Sequence, residues 1–330
     1  MKVAITGASG HIGINLTRLL LQQGFSVRTL VHRNRRTLEG LETEMVAGDI
    51  LDIKSLYPFS ENVDVVFHLA AVVTIQGGKV KKVFEHNVAG TKNVLKAAQE
   101  TGVKRFIHFS SIHALIQQPF HSVLDENRSL ALEDKTAYSR SKAASEVCVF
   151  EAIKKGMDAV ILNPTAMLGP FDYAPSLLGR AIIQMALGKL RILVPGGYDW
   201  VDVRDVASAA AASIEKGKTG ERYLLSGHWM DLKTLAELVM NLSNCRVKRW
   251  ICPFWLAFMG LPFVHLYCRA KAKEPLYTRD SLGALRNSHH DISNAKASRD
   301  LGYRPRPMKE TLKDTLDWFE QNYFFSVSSM

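Results

Sequence analysis

The chain has 330 residues, 47% of them hydrophobic, and a net charge of +10, enough apolar material for one large core with or without a smaller appendage. Its basic residues are dispersed, with one tight cluster at Arg33, Arg35 and Arg36 and looser ones at Lys79 to Lys82 and from Arg246 to Lys273; without a basic stripe interleaved with aromatics, no nucleic-acid partner is expected. The cysteines Cys148, Cys245, Cys252 and Cys268 show neither a CxxC pair nor a His/Cys metal spacing, and the eleven histidines form no ligand set, so reduced packing thiols and no metal are expected.

Met1-Lys2 leads straight into an apolar run that soon ends in glycines, which does not read as a signal peptide, and a cytoplasmic location is expected. Lys2 to Thr6 reads as a buried strand, Gly7 to Gly13 as a glycine turn, and Ile14 to Gln22 as a helix ending at Gly24. Ser26 to Val31 closes a βαβ unit. Further strands are expected at Glu44 to Ala47, Val63 to Leu69, Arg105 to Ser110, Ala159 to Leu162 and Arg222 to Ser226, with helices such as Val88 to Gly102 and Tyr138 to Lys155 between them. This alternation predicts an α/β fold, a doubly wound parallel sheet of Rossmann type with helices on both faces. After Pro164 the rhythm changes to loops, helices and short strands, with a last helix near Met308 to Tyr323. Residues 1–165 are therefore expected to be mainly the dinucleotide-binding part, and residues 166–330 mainly a smaller C-terminal substrate cap with segments returning to the core.

Gly7, Gly10 and Gly13 lie between a strand and a helix. There, glycines permit a tight turn, close approach of backbone to a pyrophosphate, and close helix packing. The spacing departs from the standard dinucleotide fingerprint by one residue. Where many such folds place an acid on the adenosine ribose, the second strand runs on as His32-Arg33-Asn34-Arg35-Arg36, with no carboxylate before Glu39. Arginine there suits a 2′-phosphate, so NADP(H) is favoured over NAD(H).

Tyr138 and Lys142 stand four apart on a predicted helix and so share one face. An ammonium beside a phenol lowers a tyrosine pKa of about 10 and makes the phenol an acid/base near neutral pH.

Thr6-Gly7-x-x-Gly10-x-x-Gly13 together with Tyr138-x-x-x-Lys142 resembles the joint signature of the extended short-chain dehydrogenase/reductase superfamily, the NAD-dependent epimerase/dehydratase family. The likeness runs almost the whole length: Asp49-Ile50, His68 to Ala71, Asn87 in Asn-x-x-Gly-Thr, Ser110-Ser111, Asn163-Pro164-Thr165, Leu168-Gly169-Pro170 and Trp200 to Ala207 all resemble family blocks. Within it, NPTAMLGPFD, WVDVRDVA, GERYLLSG and DISNAKASRDLGYRPRPMKETL look most like the dihydroflavonol reductase-like group, which includes proteins labelled hopanoid-associated sugar epimerases and lies near the 3β-hydroxysteroid dehydrogenases.

The resemblance implies hydride transfer at a carbonyl or secondary alcohol. Tyr138 would be the acid/base, Lys142 would tune it and hold the nicotinamide ribose, and Ser111 would bond the substrate oxygen. Asn87 would place a water or backbone group near Lys142, or else simply cap a helix. Cofactor contacts are implied for Gly7, Ser9, Gly10, His11, Ile12, Gly13, Arg33, Asp49, Ile50, Leu69, Ala70, Ala71, Tyr138, Lys142, Pro164 and Thr165. Asp125, Glu126, Asp202 and Asp205 read as structural acids, and His113, two residues after Ser111, as an incidental loop histidine, with substrate contact the lesser alternative. Family members often dimerise through the tyrosine-bearing helix, so a homodimer is implied.

Trp250 to Cys268 is apolar apart from Pro253, Gly260, Pro262 and His265, and is flanked by Lys248, Arg249, Arg269, Lys271 and Lys273. Its prolines and glycine suit two short helices of the cap. Walling an apolar pocket is its first expected use; a peripheral membrane contact, with the protein membrane-associated, is the second, and a membrane span, near whose lower length it falls, is the last. The leading expectation is an NADP(H)-dependent oxidoreductase for a flavonoid-, steroid- or terpenoid-like substrate. The rivals are an NAD-dependent nucleotide-sugar epimerase/dehydratase and an inactive cofactor-sensing protein.

Overall fold

The computed structural model describes residues 1–32, 35–73, 80–271 and 275–322. The first strands are β1 (Lys2–Thr6), β2 (Ser26–Val31), β3 (Thr43–Ala47), β4 (Val65–His68), β5 (Arg105–Phe109) and β6 (Ala159–Pro164). After them come β7 (Ala166–Leu168), β8 (Ile192–Leu193), β9 (Gly197–Asp202), β10 (Arg222–Leu225), β11 (His228–Asp231) and β12 (Trp250–Ile251). The helices of the first half are α1 (His11–Gln22), α2 (Ile53–Ser60), α3 (Val80–Phe84), α4 (Gly90–Glu100) and α5 (Ala137–Lys154). Those of the second are α6 (Leu177–Ala186), α7 (Val203–Lys216), α8 (Leu232–Ser243), α9 (Phe254–Ala270), α10 (Arg279–Arg286), α11 (Ala295–Leu301) and α12 (Met308–Gln321).

Among the described residues the main sheet has seven strands in the order β3-β2-β1-β4-β5-β6-β10, every pair parallel. Side chains alternate across it, as a strand requires. Val3 and Ile5 enter the core under α1 and α7, whereas Ala4 enters the opposite core with α2, α4 and α5. A parallel sheet covered on both faces reads as the unbroken apolar runs found in β1 and β4. The expected Rossmann-type doubly wound sheet is present, with strand ends within two residues of those expected.

Strand order reverses between β1 and β4, so the loops leaving their carboxyl ends diverge and leave a crevice there. Past β6 the chain builds a second apolar core around Trp200, Ile182, Leu235, Leu312 and Phe319. The three-stranded sheet β11-β9-β7 lies in this part, and β10 returns to the main sheet beside β6. Asp202 caps α7 by accepting from the Arg204 N–H at 2.8 Å, and Asp205 accepts from Arg306. Both acids, with Asp125 capping a turn and Glu126 accepting from the Leu224 N–H, have the structural uses expected of them.

Trp250 to Cys268 departs from expectation. Instead of two short helices it forms the short strand β12 and one continuous helix, α9, with Pro262 inside it. Pro262 faces outward, where the carbonyl it leaves without a donor can reach water. Gly260 has open space beside its Cα and forces no break. No helix among the described residues is long and apolar enough to cross a membrane.

Candidate active site

The glycine turn is built from its contacts. Gly7 has φ +75°, and a side chain there would come within 2.8 Å of the Ala70 nitrogen; one on Gly13 would come within 2.2 Å of the Gly7 carbonyl. Gly10 meets only the Gly7 oxygen, at 3.4 Å, so protein packing alone does not demand glycine there. Gly10 also N-caps α1 without a side-chain bond, and its own N–H donates to the Gly7 carbonyl at 3.1 Å, which leaves the first-turn N–H groups of His11, Ile12 and Gly13 to an anion. This cradle fits a dinucleotide pyrophosphate. Beside it, the Thr37 hydroxyl donates to the Ser9 carbonyl at 3.4 Å, which brings the loop bearing exposed Arg35 and Arg36 next to the turn. Arg33 lies outside the described residues. Asp49 faces His32 at 3.6 Å, and the carbonyl of Ile50 accepts from Asn93.

A chain of buried hydrogen bonds runs from this turn toward α5. The Thr6 hydroxyl meets the Ala70 N–H at 3.2 Å and His68 Nδ1 at 2.8 Å, and Leu69 N–H donates to the Thr6 carbonyl. His68 Nε2 meets the Thr91 hydroxyl at 2.9 Å, and Thr91 donates to the Asn87 carbonyl. Asn87 clamps both backbone groups of Val72, just past Ala71, and donates to the Ser141 hydroxyl at 3.0 Å. It therefore orders a backbone group beside the helix that bears Lys142. The helix-capping alternative does not apply, because Asn87 sits within a wide helical turn, Glu85–Ala89, that runs on into α4.

Ser111 and Tyr138 share one cleft. The neighbouring Ser111 hydroxyl pulls the phenol pKa down, but burial is the larger effect and pushes it up. The direction is opposite to that expected from the Tyr138/Lys142 pair. The reason is geometric: the Lys142 ammonium donates to the Phe109 carbonyl at 2.8 Å and is not among the groups that shift the phenol. Burial in turn lowers Lys142 to about 8, against the pull of Glu146. Ser110 is turned into the interior, where its hydroxyl has no partner among the described residues.

The cleft is lined by His11, Ile12, Ser111, Tyr138 and Thr165 and by the apolar Ile116, Met167, Leu178 and Phe258. Pro164 ends β6, and the Thr165 hydroxyl donates to Asp199 at 2.6 Å. The His11 ring meets the carbonyls of Gly169 and Pro170, tying the start of α1 to the chain that enters the cap. His113 lies in the cleft with its ring centroid 6.3 Å from that of Tyr138; burial lowers its pKa, with Asp134 opposing. Mixed charge, including Lys135, Asp134, Arg279 and Asp280, also lines the cleft.

Sequence reasoning missed two carboxylates. Asp199 lines the cleft, and burial pushes it up against the Thr165 hydroxyl and Gly227 N–H. Glu146 is fully buried one turn beyond Lys142. Arg222 donates twice to one of its oxygens, at 2.7 and 2.9 Å, and Asn163 donates to the other at 2.6 Å. Asn163 also donates to the Ser111 carbonyl at 2.9 Å, so the buried pair positions Ser111. Spacing alone gave a weak signal for Glu146, an acid four residues after a lysine, and none for Asp199.

Comparison with known proteins agrees with this geometry. The model of the NAD dependent epimerase/dehydratase family matches residues 3–226. Sterol demethylase protein B of Methylococcus capsulatus is 33% identical over 327 residues, covering 97% of this chain and 99% of that protein. A Synechocystis protein provisionally named a dihydroflavonol 4-reductase is 29% identical over 331 residues, covering 96% and 94%. The crystal structure of gox2253 superposes with a TM-score of 0.84 at 31% identity, over 97% of this chain and 98% of that one. A nucleotide cradle at the strand-order reversal, a Ser-Tyr-Lys cluster beside it and these relatives lead to one conclusion: the chain belongs to the NAD dependent epimerase/dehydratase family and is an NAD(P)-dependent enzyme of the extended short-chain dehydrogenase/reductase type.

Proposed function

We propose that this enzyme is an NADP(H)-dependent oxidoreductase that interconverts a carbonyl and a secondary alcohol on an apolar, flavonoid-, steroid- or terpenoid-like molecule. The observation that carries the reading is the apolar part of the cleft lining: Ile116, Met167, Leu178 and Phe258 share the cleft with Ser111 and Tyr138. Beyond it, an apolar side cavity shares Leu177, Leu178 and Tyr198 with the cleft and is closed by Leu235, Tyr277 and Leu285. Such a surface favours a substrate that loses water-exposed apolar area on entry. A relative named for sterol demethylation and one named for dihydroflavonol reduction support the same class.

The dinucleotide supplies or accepts the hydride when bound. The chain's own residues manage the proton and the charge that develops on oxygen. Burial keeps the Tyr138 phenol protonated at neutral pH, ready to donate to a forming alkoxide. Ser111 is placed to bond the same oxygen, and Lys142, whose ammonium donates to the Phe109 carbonyl, holds the strand end that carries Ser111. Asn87 and Asn163 hold the backbones on either side. Arg35 and Arg36 beside the glycine turn support NADP(H), since guanidinium groups bind a 2′-phosphate through charge-assisted bonds.

A nucleotide-sugar epimerase is the second reading, favoured by Arg180 in the cleft wall. Against it, of the bases Arg180, Lys189, Arg191 and Arg204 only Arg180 lines the cleft, and Arg204 is engaged by Asp202 and Asp314. The experiment is to mix the protein with NADPH and a panel of apolar ketones and to follow the nicotinamide absorbance. Net NADPH consumption, lost in Tyr138→Phe with cofactor binding retained, is expected. Tightly held NAD released only on denaturation, with nucleotide sugars turned over and no net redox change, would sink the oxidoreductase reading.

A further inference from the structure

Helix α9 is apolar on both faces. Its inner face, Phe254, Ala257, Phe258 and Leu261, follows the i, i+3, i+4, i+7 pattern and packs on the cap core. The outer face should then be polar, as on an ordinary surface helix. Instead it presents Trp255, Met259, Phe263 and Leu266, exposed by 64%, 65%, 76% and 69%. Strand β12 extends the patch with Trp250 and Ile251, both more than half exposed. Monomeric proteins seldom leave so much contiguous apolar surface in water without a use for it.

The charge around this patch identifies what covers it. Between Glu237 and Glu274 the sequence has no acidic residue, whereas Arg246, Lys248, Arg249, Arg269, Lys271 and Lys273 bracket the apolar run. Arg249 is turned inward onto the carbonyls of Met185 and Leu190. Arg246 and Lys248 are exposed at one end, and Arg269 and Lys271 at the other. Lys248 Nζ sits 5.1 Å from the Trp250 ring. An apolar face with Trp and Tyr at its edge and a basic rim complements anionic headgroups above acyl chains. A second copy of the same face would set two basic rims against each other.

We infer that α9 and β12 form a docking face for an anionic lipid bilayer, lying in its interface without spanning it. The inward-facing neighbour of the docked residues, Phe258, lines the substrate cleft, so docking would set the cleft wall against the lipid. That use of the face for loading substrate rests on the apolar-substrate reading above; the docking itself does not.

The test is flotation of the full chain, without substrate, on vesicles of phosphatidylcholine alone or mixed with phosphatidylglycerol. The protein should float with the anionic vesicles, bind about tenfold less to phosphatidylcholine alone, and be released by raised salt. Trp255→Glu combined with Phe263→Glu should weaken binding by about tenfold or more while leaving thermal unfolding and NADPH binding unchanged. Should that variant misfold, Lys248→Glu with Lys271→Glu should weaken anionic binding in the same way. Wild-type protein that fails to float with anionic vesicles overturns the proposal. So does a folded variant that floats like wild type, or sedimentation in lipid-free buffer showing that the substitutions instead split a dimer. Turnover is measured separately, so failure of the oxidoreductase reading and failure of docking are distinguishable.

Discussion

The ammonium of Lys142 donates to the carbonyl of Phe109 at 2.8 Å, which fastens α5 to the strand whose next two residues are Ser110 and Ser111. This ammonium is buried, is in no ion pair among the described groups, and is lowered to about 8 chiefly by burial. A buried cation of this kind is held at a cost to folding. Lys142→Met should therefore stabilise the fold by about 1–2 kcal/mol, the relief from desolvation exceeding the loss of one hydrogen bond. Turnover should fall by about 10²-fold or more. Thermal unfolding and steady-state kinetics on the same preparation check both; a variant less stable than wild type would show that the ammonium serves the fold.

Glu146 is the opposite case. Its carboxylate holds Arg222 and Asn163, and Asn163 reaches the Ser111 carbonyl. Glu146→Gln leaves the Arg222 guanidinium largely buried and uncompensated, and should cost about 3–5 kcal/mol. Urea denaturation measures that loss. Because Glu146 also opposes the lowering of Lys142, the alkaline limb of activity should move to lower pH in this variant, a change that mere loss of stability would not produce.

Acid should destabilise the protein before its carboxylates titrate. His68 and His108 stack with ring centroids 5.6 Å apart in the interior. Burial holds both below the usual imidazole range, His68 at about 3. As pH falls below about 6.5 the unfolded chain binds protons that the folded histidines refuse, so stability is full above that value and declines toward about pH 3. Unfolding midpoints should drop measurably between pH 7 and 5. His68→Gln, which can still bond Thr6 and Thr91, should flatten the decline, and an unchanged slope would assign it to other groups.

Cofactor choice should follow the basic loop after β2. Replacing Arg33 and Arg36 together with serine should reduce the preference for NADPH over NADH by about a hundredfold or more, since each charge-assisted bond to a 2′-phosphate contributes about 1.5–3 kcal/mol. The ratio of kcat/KM for the two cofactors is the measurement. An unchanged ratio would leave these arginines as a solvated loop.

The parts of the site legible in sequence are those set by local backbone chemistry. Gly7 and Gly13 announce themselves because a turn between a strand and a helix needs positive φ at the first and close backbone approach at the second, and Gly10 because a pyrophosphate needs room there. Tyr138 and Lys142 are legible because helical spacing alone brings them to one face. Glu146, Arg222 and Asn163 were not legible as a unit, for they come from α5, β10 and β6, and only the sheet order sets them together. The continuity of α9 through Pro262 was likewise hidden, since proline usually breaks a helix and only the outward orientation of this one makes the lost hydrogen bond cheap.

By itself, then, the sequence determined the parallel sheet and the glycine turn, because apolar periodicity and glycine placement act over short stretches of chain. Tertiary structure alone decided how the catalytic groups titrate. Burial raises Tyr138 and lowers Lys142, and the depth of burial depends on which distant segments cover a residue. It also decided which face of α9 is left to solvent, because that follows from where the cap core ends and not from the composition of the helix.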